Sequence, residues 1–131
     1  MIYLDANVVI RLIEGDPAAR APLEARLLPY RGTPQSLLTS RLTRLECRVK
    51  PMRGGDAALL AVYDAFFAGA EVSILELTAA VVEKATELRA ALNVKTPDAL
   101  HLAAAVVSGA SAFLAGDRDL TRCTEILVEV L

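Results

Sequence analysis

Asp5, Glu46, Asp98 and Asp117, with Asp119 just beyond the last, are the side chains of this sequence whose types and placement could do chemistry. Crowded carboxylates repel one another, and the cost is relieved by a proton on one of them or by a cation bridging them. With oxygen donors and no cluster of His or Cys, the ion that suits them is a hard one, Mg²⁺ or Mn²⁺. The chain has one His and two Cys, and Cys47 and Cys123 lie far apart without metal-ligand spacing. They read as free, buried thiols in a reducing cytosol, which makes a cytoplasmic protein the expectation.

Each acid also has an ordinary structural explanation. Asp5 directly follows the apolar run Ile2–Leu4 and precedes a helical pattern from Asn7, so it emerges at a strand's C-terminal end. An aspartate there also serves as a plain helix cap. Glu46 lies in a helix expected over Ser40 to Val49, with Leu42, Leu45 and Val49 inward. At about 100° per residue it borders that apolar face, while Arg41, Arg44 and Arg48 fall on the opposite border. Those arginines read as a solvated face or a partner contact, not as a phosphate clamp, and Lys50 and Arg53 lie beyond the helix.

Thr96-Pro97-Asp98 reads as N-cap, first helical residue and first-turn acid. The charge of Asp98 suits the positive helix end. It also shares a stripe with Leu102 and Ala105, which brings it to the core edge, where a carboxylate needs a partner. Asp117 and Asp119 follow Ala112–Ala115, with Gly116 permitting a tight turn. That is a strand end or a plain polar turn; Asp117 is nearer the strand and Asp119 is a reserve ligand. His101, one turn after Asp98, reads first as a packed or hydrogen-bonded helix histidine and only second as a ligand.

The elements that must gather these residues are short apolar runs read as buried strands: Ile2–Leu4, Leu37–Thr39, Val72–Leu75, Ala112–Ala115 and Ile126–Val130. Helical patterns separate them. The clearest covers Ala79–Leu92, capped by Thr78, with Val81, Ala85, Leu88 and Leu92 as its apolar stripe. Another follows Asp56, where Leu59, Val62, Tyr63 and Phe66 share a face that Leu60 and Phe67 widen, as core or as partner surface. Alternating strands and helices predict a three-layer α/β/α sandwich around a mainly parallel sheet, with the site at the strand C-terminal ends.

No repeat or linker divides residues 1–131, so one domain is expected. The first residues show no leader pattern. The longest apolar stretch, Ala57–Tyr63, is too short to cross a bilayer, so no membrane role is expected. A formal net charge of -2 argues against a broad basic grip on nucleic acid and leaves only small, site-focused contacts.

Taken in order, Ile2-Tyr3-Leu4-Asp5-Ala6-Asn7, Leu45-Glu46, Thr96-Pro97-Asp98-Ala99-Leu100-His101-Leu102-Ala103 and Phe113-Leu114-Ala115-Gly116-Asp117-Arg118-Asp119-Leu120 resemble the PIN domain, specifically the VapC-type toxins of toxin-antitoxin pairs. The resemblance covers nearly the whole chain. It implies the same α/β/α sandwich, a Mg²⁺- or Mn²⁺-dependent endoribonuclease leaving a 5′-phosphate, a homodimer, and a cognate antitoxin as inhibitor. It assigns Asp5, Glu46, Asp98 and Asp117 to the acidic metal-holding and catalytic cluster. Asn7, Ser40 and Thr96 match polar neighbours that orient ligands or water.

Ala115 departs from the pattern, because the family often has Thr or Ser at that place. The departure leaves room for a non-catalytic PIN-like module that binds RNA or protein. A receiver-type phosphotransfer domain fits less well, since Val72–Leu75 is followed by Glu76-Leu77 with no phosphoacceptor aspartate. Nothing resembles a pocket for a small phosphate ester. If RNA is the substrate, a single-stranded loop is the expected target.

Overall fold

Short apolar strands and longer helices alternate along the chain, and the computed structural model describes all 131 residues. The order is β1 (Ile2–Leu4), α1 (Ala6–Glu14), α2 (Pro17–Leu27), β2 (Leu37–Ser40), α3 (Arg41–Arg53), α4 (Ala57–Phe67), β3 (Val72–Leu75), α5 (Ala79–Leu92), α6 (Thr96–Ser108), β4 (Ala112–Ala115) and β5 (Val128–Val130). Two 3-10 turns, Leu28–Tyr30 and Arg118–Arg122, complete it. The sequence marks most helix starts with a capping side chain: Asp5, Asp16, Ser40, Asp56 and Thr78 each accept a hydrogen bond from a backbone N–H of the first turn. Gly109, at φ 74°, ends α6 in a left-handed conformation that a side chain would disfavour.

The five strands form one wholly parallel sheet in the order β3-β2-β1-β4-β5. Parallel connections are right-handed, so direction across the sheet decides which face a helix covers. The steps β1 to β2 to β3 place α1 to α4 on one face, and the return from β3 to β4 places α5 and α6 on the other. Period-two alternation then sorts each strand between two cores. Ile2, Leu4, Leu37, Ala112 and Leu114 pack with Val8, Val9, Leu23, Tyr63 and Phe67. Tyr3, Leu38, Phe113 and Ala115 pack with Val81, Leu88, Leu102 and Leu120. This is the expected α/β/α sandwich.

Some boundaries and faces differ from expectation. The last strand begins at Val128, two residues after the predicted start, and α3 runs on through Pro51 to Arg53, so Lys50 and Arg53 belong to its last turn. The buried face of α3 is Thr43, Cys47 and Pro51, while Leu45 and Val49 are exposed. In α4, Tyr63 and Phe67 are core and Val62 is exposed, which narrows the predicted broad apolar face. Cys47 and Cys123 are free and buried. Burial pushes the Cys47 thiol up to about 12. No helix is long and apolar enough to cross a membrane.

Candidate active site

The strand order reverses between β1 and β4, and in an open parallel sheet ligands bind in the crevice beyond the strand C-terminal ends at such a point. The end of β1 delivers Asp5 and the end of β4 delivers Gly116 and Asp117, while the first turn of α6 carries Asp98. Asp5 is only 4 % exposed and caps α1, its Oδ1 accepting from the Ala6 N–H at 2.7 Å. The cap and the site-facing acid are therefore the same residue. A Cβ at Gly116 would stand 3.1 Å from the Asn7 Cβ, so close approach of the β4 turn to the start of α1 explains the glycine, without any left-handed backbone.

Electrostatics tie the four acids together. Burial pushes the Asp5 carboxyl above its usual range; His101 and the Ala6 N–H oppose this, and the charges of Asp98 and Glu46 add to it. Burial likewise raises half-buried Asp98, with Asp117 and Glu46 adding and His101 and Lys95 opposing. The donor set is all carboxylate oxygen, and a hard divalent ion would neutralise the repulsion that lifts both aspartates. The residues fit such an ion in kind. As the side chains stand, no three of them converge at ligating distance. The Glu46 carboxylate rests instead on His101, with Oε1 2.5 Å from Nε2.

The remaining predicted residues fall at different depths. Exposed Asp117 accepts from the Asp119 N–H at 2.8 Å, and exposed Asp119 pairs with Arg122 at 3.5 Å. Asn7 is exposed beside Gly116. Ser40 is fully buried and shares a capping box with Thr43 at the start of α3. Thr96 is the exposed first residue of α6; the N-cap is Lys95, one position earlier than predicted, and no side chain bonds the helix end. Arg44 and Arg48 both hold Asp64, at 3.3 and 2.8 Å, and Arg41 holds Glu76 at 2.9 Å.

Sequence reasoning passed over Tyr3 and Thr43, which join His101 beneath the acids. The Tyr3 hydroxyl lies 2.7 Å from His101 Nδ1 and 3.4 Å from Thr43 Oγ1. Two signals point to them: a buried strand tyrosine must find a partner for its hydroxyl, and Ser40 and Thr43 stand at capping-box spacing.

A model of the PIN domain family matches residues 2–126. The chain belongs to the PIN domain family. A search of curated proteins found no significant sequence match. Among solved structures, this PIN domain superposes on VapBC2 from Rickettsia felis, bound to a fragment of promoter DNA, with a TM-score of 0.77 at 18% identity, covering 99% of this chain and 98% of that one. It superposes on a toxin-antitoxin complex from Klebsiella pneumoniae with a TM-score of 0.75 at 21% identity, covering 97% and 96%. A third match is VapC20 from Mycobacterium tuberculosis, a sarcin-ricin loop cleaving toxin, at a TM-score of 0.72 and 20% identity, covering 92% and 93%. At these identities the likeness shows the fold of the PIN domain.

Proposed function

We propose that residues 1–131 form one ribonuclease domain, the toxin of a toxin-antitoxin pair, which hydrolyses RNA at an acidic Mg²⁺ or Mn²⁺ site made by Asp5, Glu46, Asp98 and Asp117. The observation that carries this reading is the pair Asp5 and Asp98, gathered at the switch point of the sheet and both lifted by burial and neighbouring charge. The fold neighbours named as toxins or toxin-antitoxin complexes support the biological setting.

When bound, the ion would offset phosphate charge and acidify a water for attack on the phosphodiester. Asp5, fixed at the cap of α1, and Asp98, in the first turn of α6, would supply carboxylates from two elements. Glu46, from α3, and Asp117, just after β4, would complete the set. Exposed Asn7, beside Gly116, is the amide best placed to orient a phosphate or water, whereas buried Ser40 acts through the start of α3. In the hydrolysis a bond forms between phosphorus and the water oxygen, the bond to the 3′ oxygen breaks, and that oxygen takes the water's proton, leaving a 5′-phosphate. With a net charge of -2 the protein holds RNA through a short local contact.

The test is cleavage of total RNA by antitoxin-free protein with Mn²⁺, with Mg²⁺ and with EDTA, beside Asp5→Asn and Asp98→Asn. Discrete metal-dependent fragments are expected from wild type, and a loss of roughly 100-fold or more from each variant. RNA left intact by wild type would favour a binding module. Activity retained by both variants would remove the site assignment.

A further inference from the structure

His101 is the only histidine of the chain, lies one turn beyond Asp98 on α6, and is 1 % exposed. A ring buried so deeply needs partners for both nitrogens. It has them: Nδ1 faces the Tyr3 hydroxyl at 2.7 Å and Nε2 faces Glu46 Oε1 at 2.5 Å, with Asp5 Oδ1 3.8 Å from the same nitrogen. One imidazole thus joins β1, α3 and α6 directly beneath the acids.

We propose that His101 is a positioning residue: the Tyr3 hydroxyl donates to Nδ1, the ring therefore carries its hydrogen on Nε2, and that N–H holds the Glu46 carboxylate ready for a divalent cation. The inference rests on the reading of Glu46 as a ligand.

The direction of the chain follows from its donors. Tyr3 is fully buried, and a phenol, with an ordinary pKa of about 10, keeps its hydrogen at neutral pH. Given to Nδ1, that hydrogen makes Nδ1 an acceptor and leaves Nε2–H facing Glu46. Tyr3 is itself fixed. Its ring stacks on Phe113, with centroids 5.1 Å apart and planes 14° apart, and its oxygen lies 3.4 Å from Thr43 Oγ1, in the capping box that starts α3. Thr43 and Glu46 are three residues apart on α3, so the helix carrying the glutamate meets the strand delivering Asp5 directly at Thr43 and, through the His101 ring of α6, at Glu46. Glutamate is a long side chain whose ordering costs entropy, and a fixed donor reduces what ion binding must supply.

The sole imidazole makes the test direct. Two-bond ¹H–¹⁵N spectra of full-length protein at about pH 8 without metal should show the proton on Nε2 in wild type and a mixture of tautomers in Tyr3→Phe. Mg²⁺ titration by calorimetry should then show affinity roughly tenfold weaker in His101→Gln and a few-fold weaker in Tyr3→Phe. Tyr3→Phe keeps the stacked ring and carries the test alone if His101→Gln does not fold. A wild-type proton on Nδ1 overturns the proposal. So does undiminished Mg²⁺ affinity in both variants while Glu46→Gln binds weakly. If Glu46→Gln also binds as wild type does, it is the reading of Glu46 as a ligand that has failed, and this inference falls with it.

Discussion

Asp5 does two jobs at once, and they pull its protonation in different directions. As a cap it accepts the Ala6 N–H, which favours the charged form; buried among acids, it is pushed the other way and ends above its ordinary value. A carboxyl raised on folding stabilises the fold fully only below its ordinary pKa, and that contribution is lost as pH rises through the raised value. At neutral pH the metal-free protein therefore carries the cost. Asparagine keeps the cap without the charge. Asp5→Asn should consequently melt a few degrees above wild type in EDTA near pH 7.5, and the gap should close as pH falls through the carboxylate range. Added Mg²⁺ should raise the wild-type midpoint and leave the variant unchanged. Identical melting curves across pH would mean that Asp5 bears no electrostatic cost.

The helix next to the site shows where apolar patterning misleads. In α3 the apolar side chains Leu45, Val49 and Met52 face outward, while Thr43, Cys47 and Pro51 face in. Helical periodicity admits either face, and hydrophobicity favours the wrong one. The inner face is chosen by fit: Thr43 satisfies the Tyr3 hydroxyl and the Ser40 cap, and small Cys47 lets α3 lie close to α1, its Sγ 3.9 Å from the Ala6 carbonyl. In α4 the same question is settled by Tyr63 and Phe67, the first of which reaches the Glu14 carboxylate. Phe67→Ala should cost about 3–5 kcal/mol and Val62→Ala less than about 0.5 kcal/mol, measured by urea denaturation. Comparable small losses in both would return Phe67 to the surface.

Among the apolar side chains left uncovered on the whole molecule, two groups stand together. Leu45, Val49 and Met52 are 58%, 40% and 57% exposed on the outer side of α3, between arginines and beside Glu46. On the same face of the sheet, Leu12, Ile13, Leu27 and Phe66, from α1, α2 and α4, line a groove rimmed by Glu24 and Arg31. Under the proposed function, the first suits a second copy of the chain and the second suits an amphipathic antitoxin segment. Leu45→Asp should shift sedimentation toward monomer and leave antitoxin capture intact. Phe66→Asp should weaken capture roughly tenfold or more and leave the oligomer intact. If the two effects exchanged places, so would the assignments; if neither variant had an effect, both surfaces would be released.

The strands, every helix but α2, the parallel sandwich, and the positions of Asp5 and Asp117 after strands and of Asp98 in a first helical turn were legible in the residues. Each depends on local patterning: short apolar runs, capping side chains, and acids placed directly after strands or in a first turn. Only the tertiary structure decided which side of α3 is buried, that Phe67 is core, that Lys95 and not Thr96 opens α6, and that Glu46 rests on His101. These outcomes turn on contacts between residues far apart in the chain, such as Tyr3 with His101 and Glu46 with His101, whose distances no local period encodes. The residue types announced which groups needed partners; packing the two helical layers onto one sheet determined which partners they met.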